Sequence, residues 1–200
     1  QQCFATKRTT WLKAESEISW LKELNDKLFD DNPTLTVSRQ DIFETSDPRE
    51  VILKTVYWGY PAGMRGNHVV NICKHIDKIE SALLTLKQKS APTDHDFHEL
   101  TKAFENVVGI GLSTYSKLLY FFGISFNDHP CLILDQRLID VFASKTYSNF
   151  HELSNIRYDN AEKKYLDYLR ITKNTAHEIE TEGANIELFL FMFGNNLKEI

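Results

Sequence analysis

Along most of this 200-residue chain, apolar residues return about every 3.6 positions, and runs that alternate apolar with polar residues are scarce. That spacing gathers apolar side chains on one stripe of a helix, so the expected fold is all-α. The clearest stripe is Val69, Ile72, Cys73, Ile76, Ile79, Leu83 and Leu84, with Lys74, His75 and Lys78 opposite. It predicts the longest helix, over Gly66–Leu86. A first helix is expected over Trp11–Asp30, carried by Trp11, Ile18, Leu21, Leu24 and Leu28 and ended by Asp31-Asn32-Pro33. Asp47-Pro48 opens a short helix to about Trp58, with Pro48 in the first turn, where a missing N–H costs nothing. Gly59–Gly63 combines two glycines with a proline and reads as a shaped loop.

The polar stretch Lys87–Thr93, containing Ala91-Pro92, marks a boundary between two helical lobes of one domain, roughly 1–90 and 91–200. Thr93 or Asp94 caps a helix running to about Val107. Further helices are expected over Ser113–Gly123, Asp135–Ala143, Asn160–Asn174 and Asn185–Phe193. The last is apolar all round from Leu188 to Phe193, which predicts burial on most sides.

Composition narrows the class. With 42% hydrophobic and 26% charged residues the chain can build a core, which excludes disordered and fibrous states. Apolar runs such as Leu188–Phe193 fall far short of the roughly 20 residues of a spanning helix, so no membrane partner is expected. The start, Gln1-Gln2-Cys3-Phe4, lacks a basic stretch followed by an apolar one, so no secretory leader is expected; without Met it reads as trimmed. Cys3, Cys73 and Cys131 are widely spaced, odd in number and without a CxxC pair. They read as small buried thiols of a reducing cytoplasm rather than as a disulfide, zinc or iron–sulfur framework. His95, His98 and Glu99 share helical spacing but lack a further ligand cluster, so no metal site is expected.

The formal charge of -5 gives no global pull toward nucleic acid. Locally the balance differs: residues 51–90 hold six basic and two acidic residues, a local +4. A solvated polar face is the default reading of that segment and a phosphate-facing ridge the alternative.

Chemistry concentrates in Val108-Gly109-Ile110-Gly111-Leu112-Ser113-Thr114-Tyr115-Ser116-Lys117. A helix end, a Gly-x-Gly turn and a helix capped by Ser113 or Thr114 make a hairpin of two helices. Glycines permit positive φ and close backbone approach. Free amides at the second helix's start can hold an anion without a basic residue. No Gly-Lys-Ser/Thr follows, so the turn is not a P-loop. After the polar loop Ser125–His129, the apolar run Pro130–Leu134 delivers one carboxylate, Asp135, to the start of a new helix, where its plainest role is an N-cap.

Gly109-Ile110-Gly111-Leu112-Ser113-Thr114 followed by Ile133-Leu134-Asp135 resembles the helix-hairpin-helix superfamily of DNA base-excision glycosylases. Tyr57–Gly66 and Ile186–Phe191 are most similar to bacterial proteins described as 8-oxoguanine glycosylase-like. The resemblance implies two helical lobes with a cleft between them and the hairpin at its mouth. It implies flipping of a modified base from double-stranded DNA and cleavage of its N-glycosidic bond, with Asp135 as the catalytic carboxylate. Gly109, Gly111, Ser113 and Thr114 would grip the DNA backbone, with a monovalent cation at the hairpin and no other cofactor. The expected protein is a monomer of the cytoplasm, associated with the nucleoid.

Relatives that also nick DNA carry a Schiff-base lysine where this chain has Ser113, which points to a monofunctional enzyme; Lys117, one turn on, offers a shifted nucleophile. Trp58 and Tyr60, with Tyr120 or Phe121 behind, are candidates to sandwich the base, and core packing is their other role. Arg65 is a candidate phosphate contact. Competing functions are a non-catalytic DNA- or protein-binding module and a glycosidase of free nucleosides.

Overall fold

The computed structural model describes residues 2–197. Among them are eleven α-helices and two small antiparallel β ladders, so the fold is all-α in its framework. No helix among the described residues is long and apolar enough to cross a membrane.

The strands were not expected. Strand β1 (Cys3–Lys7) pairs with β2 (Thr34–Ser38), Phe4 opposite Val37 and Thr6 opposite Leu35. Thr34-Leu35-Thr36-Val37-Ser38 does alternate, and its inward residue Val37 is buried. Between the strands, the single expected helix is two, α1 (Leu12–Glu17) and α2 (Ser19–Phe29), because Ile18 is extended at φ -128°. Its N–H still closes α1 on the Ala14 carbonyl while its own carbonyl opens α2. As the sequence predicts, α2 stops before Asn32-Pro33; Asp30 and Asp31 both turn left-handed there.

Helix α3 (Arg39–Phe43) follows β2, and α4 (Pro48–Gly59) starts as expected, with Asp47 accepting from the Glu50 N–H. The expected long helix is also divided, into α5 (His68–Lys74) and α6 (Ile76–Gln88), broken at His75. Helix α7 (Asp94–Phe104) begins with a capping box of Thr93 and Asp96. After it come α8 (Leu112–Phe121), the two-residue strands β3 (Ser125–Phe126) and β4 (His129–Pro130), α9 (Gln136–Ala143), α10 (Tyr165–Glu178) and α11 (Gly183–Phe193).

The apolar stripes meet in one core cluster that runs through both halves of the chain. Helix α8 packs on α4, with Trp58 edge-on to Phe121 at 5.4 Å. Trp11 stacks on Tyr57 at 4.3 Å and satisfies its indole N–H on Thr6. Two expectations are corrected. Helix α11 is not wrapped: Ile186, Glu187 and Leu190 face inward, while Phe189, Met192 and Phe193 stand nearly half exposed. Cys3 is exposed; only Cys73 and Cys131 are buried thiols.

Candidate active site

The hairpin is closed by specific contacts. Val107 and Ile110 anchor the turn in the core, leaving Val108 exposed. Gly109 has φ +104°, and a Cβ there would lie 2.8 Å from the His68 Cβ and 3.1 Å from the His68 carbonyl. Glycine is thus required twice, by conformation and by contact with the start of α5. Gly111 is different: its φ is -91°, and it is the N-cap of α8. The expectation that Ser113 or Thr114 caps this helix is therefore corrected, since both lie inside its first turn. There the Thr114 hydroxyl donates to the Gly109 carbonyl at 3.0 Å and bonds the Tyr60 hydroxyl at 2.8 Å. The amides of Leu112 and Ser113 precede any partner within the helix and have none elsewhere among the described residues.

One turn further on, Lys117 is 4% exposed. Its ammonium donates to the Ser113 carbonyl at 2.7 Å and hydroxyl at 2.9 Å, and lies 5.6 Å from the centre of the Tyr60 ring. The aliphatic stem crosses Gly59, where a Cβ would come within 3.0 Å of the Lys117 Cδ. Gly59 on α4 thereby admits a buried lysine from α8.

The ammonium faces Asp135, 3.8 Å from Oδ2. The aspartate divides its oxygens: Oδ1 accepts from the N–H groups of Arg137 and Leu138 and caps α9, while Oδ2 is left for the lysine. What fixes Asp135 is the buried, non-helical run Cys131–Leu134, whose backbone groups are held by hydroxyls from two helices. Ser116 on α8 bonds both the N–H and the carbonyl of Leu134. On α10, Tyr165 donates to the Leu132 carbonyl at 2.8 Å and Tyr168 to the Ile133 carbonyl at 3.0 Å. Buried backbone outside regular structure needs such partners, and none of these three hydroxyls stood out in the sequence.

In front of the pair opens a cleft of about 810 Å³, lined among others by Tyr60, Arg65, His68, Gly111, Ser113 and Gln136. Neither Lys117 nor Asp135 lines the cleft itself; Ser113, which Lys117 bonds, and Gln136, next to Asp135 in the chain, do. The structure brings Asp135, Lys117, Gly109, Gly111, Ser113, Thr114, Tyr60 and Arg65 to one place. It does not bring Trp58, Tyr120 or Phe121 to the cleft. Trp58 and Phe121 are buried against each other, and Tyr120 accepts from Arg39 at 3.2 Å. Among the described residues no three His, Cys, Asp or Glu side chains gather as metal ligands.

The same region holds an ion pair that the sequence did not announce. Arg39 grips Glu187 of α11 with two bonds, 2.8 and 3.1 Å. It also lies over the Trp58 and Tyr120 rings at 5.2 and 5.1 Å. Glu187 is fully buried. Burial pushes its carboxyl above the usual range, with Asp135 adding to that shift while Arg39 and Lys117 oppose it.

Comparison with known proteins gives no match among curated proteins and none among solved structures. A family model described as "Putative 8-oxoguanine DNA glycosylase OGG-like protein" matches residues 1–191. That span takes in every residue of the site just described, and the chain belongs to this family of putative 8-oxoguanine DNA glycosylase OGG-like proteins.

Proposed function

We propose that this protein removes a modified base, an oxidised purine such as 8-oxoguanine, from double-stranded DNA, and that Lys117 and Asp135 carry the chemistry. The supporting observation is their juxtaposition: a buried lysine 3.8 Å from a carboxylate oxygen that the helix cap leaves free, beside a cleft at a hairpin whose first helical amides are unpartnered among the described residues. In this reading the Leu112 and Ser113 amides hold a backbone phosphate, with Arg65 beside them. The nucleotide turns out of the duplex into the cleft. Lys117 gives up a proton, for which Asp135 is the nearest carboxylate, and its nitrogen attacks C1′. The C1′–N bond breaks, and its electron pair leaves with the base, which takes up a proton. Asp135 passes the proton it took from Lys117 to the departing base and, again a carboxylate, stabilises the positive charge that develops on the sugar. The C1′–O4′ bond then opens as the lysine nitrogen forms the Schiff base.

Ser113, standing where strand-nicking relatives have their lysine, favours a second course in which Asp135 activates water and no covalent intermediate forms. Borohydride trapping on a duplex containing 8-oxoguanine separates the two. Base release with a covalent adduct that disappears in Lys117→Gln supports the lysine route, and release without any adduct supports hydrolysis. Binding without release, over a panel of modified bases, would refute both and assign a binding module instead.

A further inference from the structure

Helix α11 has one face that no other part of the described chain covers. Nine large apolar side chains are exposed among the described residues, and five of them, Ile179, Phe189, Met192, Phe193 and Leu197, fall between 179 and 197. Phe189 and Phe193 stand one helical turn apart with their rings 5.8 Å from each other, so the exposed groups form a stripe rather than isolated contacts. Beside the stripe lies a groove of about 550 Å³, where Tyr147, Phe150 and Ile179 meet Phe189. None of these residues lines the cleft at the hairpin.

The face carries opposite charge at its two ends. Glu180 and Glu182 stand at the start of α11. At its end Arg137 donates to the Met192 carbonyl at 3.3 Å, and Lys145 precedes by two residues Tyr147, whose hydroxyl donates to the Gly194 carbonyl at 3.3 Å. All four charged side chains are exposed, and none has an ion pair among the described residues.

From this pattern we infer that the face of α11 binds a second copy of the chain, the two helices running antiparallel about a twofold axis near Phe189. In that orientation Glu180 and Glu182 of one copy meet Arg137 and Lys145 of the other, and the symmetry repeats the match at the far end. A parallel pair would set like charges together, and a uniformly basic or acidic partner would be repelled at one end. The antiparallel arrangement also brings Phe193 of each copy over the groove of the other. A half-exposed phenylalanine offers roughly 100 Å². Five side chains of about that size supply over half of the roughly 800 Å² that each partner gives to a stable interface, and the groove walls supply the rest. The dimer takes the place of the monomer expected from the sequence. Because face and cleft share no residue, the inference does not depend on the proposed chemistry.

Sedimentation equilibrium of the full chain provides the test. The wild type should be mainly dimeric at about 10 μM, and Phe193→Asp should raise the dimer dissociation constant about 30-fold or more. Since Phe193 is nearly half exposed, that variant should melt like the wild type. Two charge variants then probe the orientation. Glu180→Lys with Glu182→Lys makes both ends basic, and Arg137→Glu with Lys145→Glu makes both acidic. Each alone should sediment as a monomer, because like charges meet across the axis, and an equimolar mixture of the two should recover the dimer. A wild type that stays monomeric up to about 100 μM would overturn the inference and leave the face to a different protein. A Phe193→Asp protein as dimeric as the wild type would overturn it by placing the contact elsewhere. Charge variants that each dimerise like the wild type, or whose mixture stays monomeric, would overturn the antiparallel pairing.

Discussion

Arg39→Met tests whether the buried ion pair is a fixed part of this fold. In the native protein both oxygens of Glu187 are bonded by one guanidinium, at 2.8 and 3.1 Å, and the carboxylate has no exposed surface. Arg39 also bonds the Tyr120 hydroxyl and the Gln2 side chain. Removing the guanidinium strands a carboxylate in the core, which costs about 3–5 kcal/mol. For a chain of this length each kcal/mol moves the melting midpoint by roughly 2–4 °C, so the midpoint should fall by about 6–20 °C. Replacing both partners, Arg39→Met with Glu187→Leu, removes the stranded charge, and stability should return to within about 1 kcal/mol of wild type or above it.

The penalty also has a pH signature. Burial already raises the Glu187 carboxyl above its ordinary 4.5, and loss of Arg39 removes the main force holding it down. A carboxyl raised in the folded state binds its proton more tightly there than in the unfolded chain. Stability therefore falls as pH climbs above the unfolded value, and the Arg39→Met penalty should be largest at neutral pH and shrink toward pH 5. Urea melts at pH 5 and pH 7.5 on the two single variants and the double variant measure all of this. A penalty below about 1 kcal/mol at pH 7.5, or a double variant as unstable as the two singles added together, would refute the reasoning.

Gly109→Ala should cost about 1–3 kcal/mol, because it combines a positive φ with a 2.8 Å encounter at His68, whereas Gly111→Ala should cost less than about 1 kcal/mol; paired thermal melts compare them. Asp135→Asn and Asp135→Ala both leave the buried Lys117 ammonium without its carboxylate, but only Asn keeps a capping oxygen, so Asp135→Ala should be about 1 kcal/mol less stable than Asp135→Asn; equal melting of the two would remove the cap assigned to Oδ1. A thiol reagent should modify Cys3 alone in the native protein. Burial holds the Cys73 thiol up at about 12 and pushes Cys131 up as well, so both should react only after denaturation; native labelling of either at the rate of Cys3 would contradict their burial. Binding to undamaged duplex should fall with salt along a shallow slope, on the order of two counterions or fewer; a slope several times steeper would place a basic surface outside the cleft.

What the sequence made legible was local. The Gly-x-Gly turn, the Asp135 cap and the placement of Lys117 one turn after Ser113 each depend on residues within a few positions of one another, where helix geometry leaves little freedom. The lysine's burial depends on Gly59, 58 residues earlier, and the rigidity of Asp135 on Ser116, Tyr165 and Tyr168, which look like ordinary core residues until the chain has folded. Strand β2 carried a period-2 pattern only five residues long, and its partner lies at the opposite end of two helices. The aromatic candidates divide for the same reason: residue type marks Trp58, Tyr60, Tyr120 and Phe121 alike as stacking surfaces. Only the packing of α8 on α4 decides that Trp58 and Phe121 are buried edge-on against each other while Tyr60 reaches the cleft.

Charge is where sequence and structure together say more than either alone. A net -5 chain with a local +4 over 51–90 leaves open whether that excess faces a ligand. In the folded protein Lys54 is tied to Glu50, Lys74 to Glu17 and Lys89 to Asp96, so half of the segment's basic residues neutralise the protein's own carboxylates. Arg65 has no ion pair among the described residues and stands in the cleft. Lys78 and Lys87 are likewise without an ion pair among the described residues but do not line the cleft, so within the cleft the segment offers a phosphate one arginine, next to the helix start at Gly111. On the proposed function, a surface of this kind would hold a backbone weakly wherever it lands and gain its affinity only where a base can leave the stack. Discrimination would then rest on the cleft and on the cost of opening the duplex, which a modified or poorly stacked base lowers.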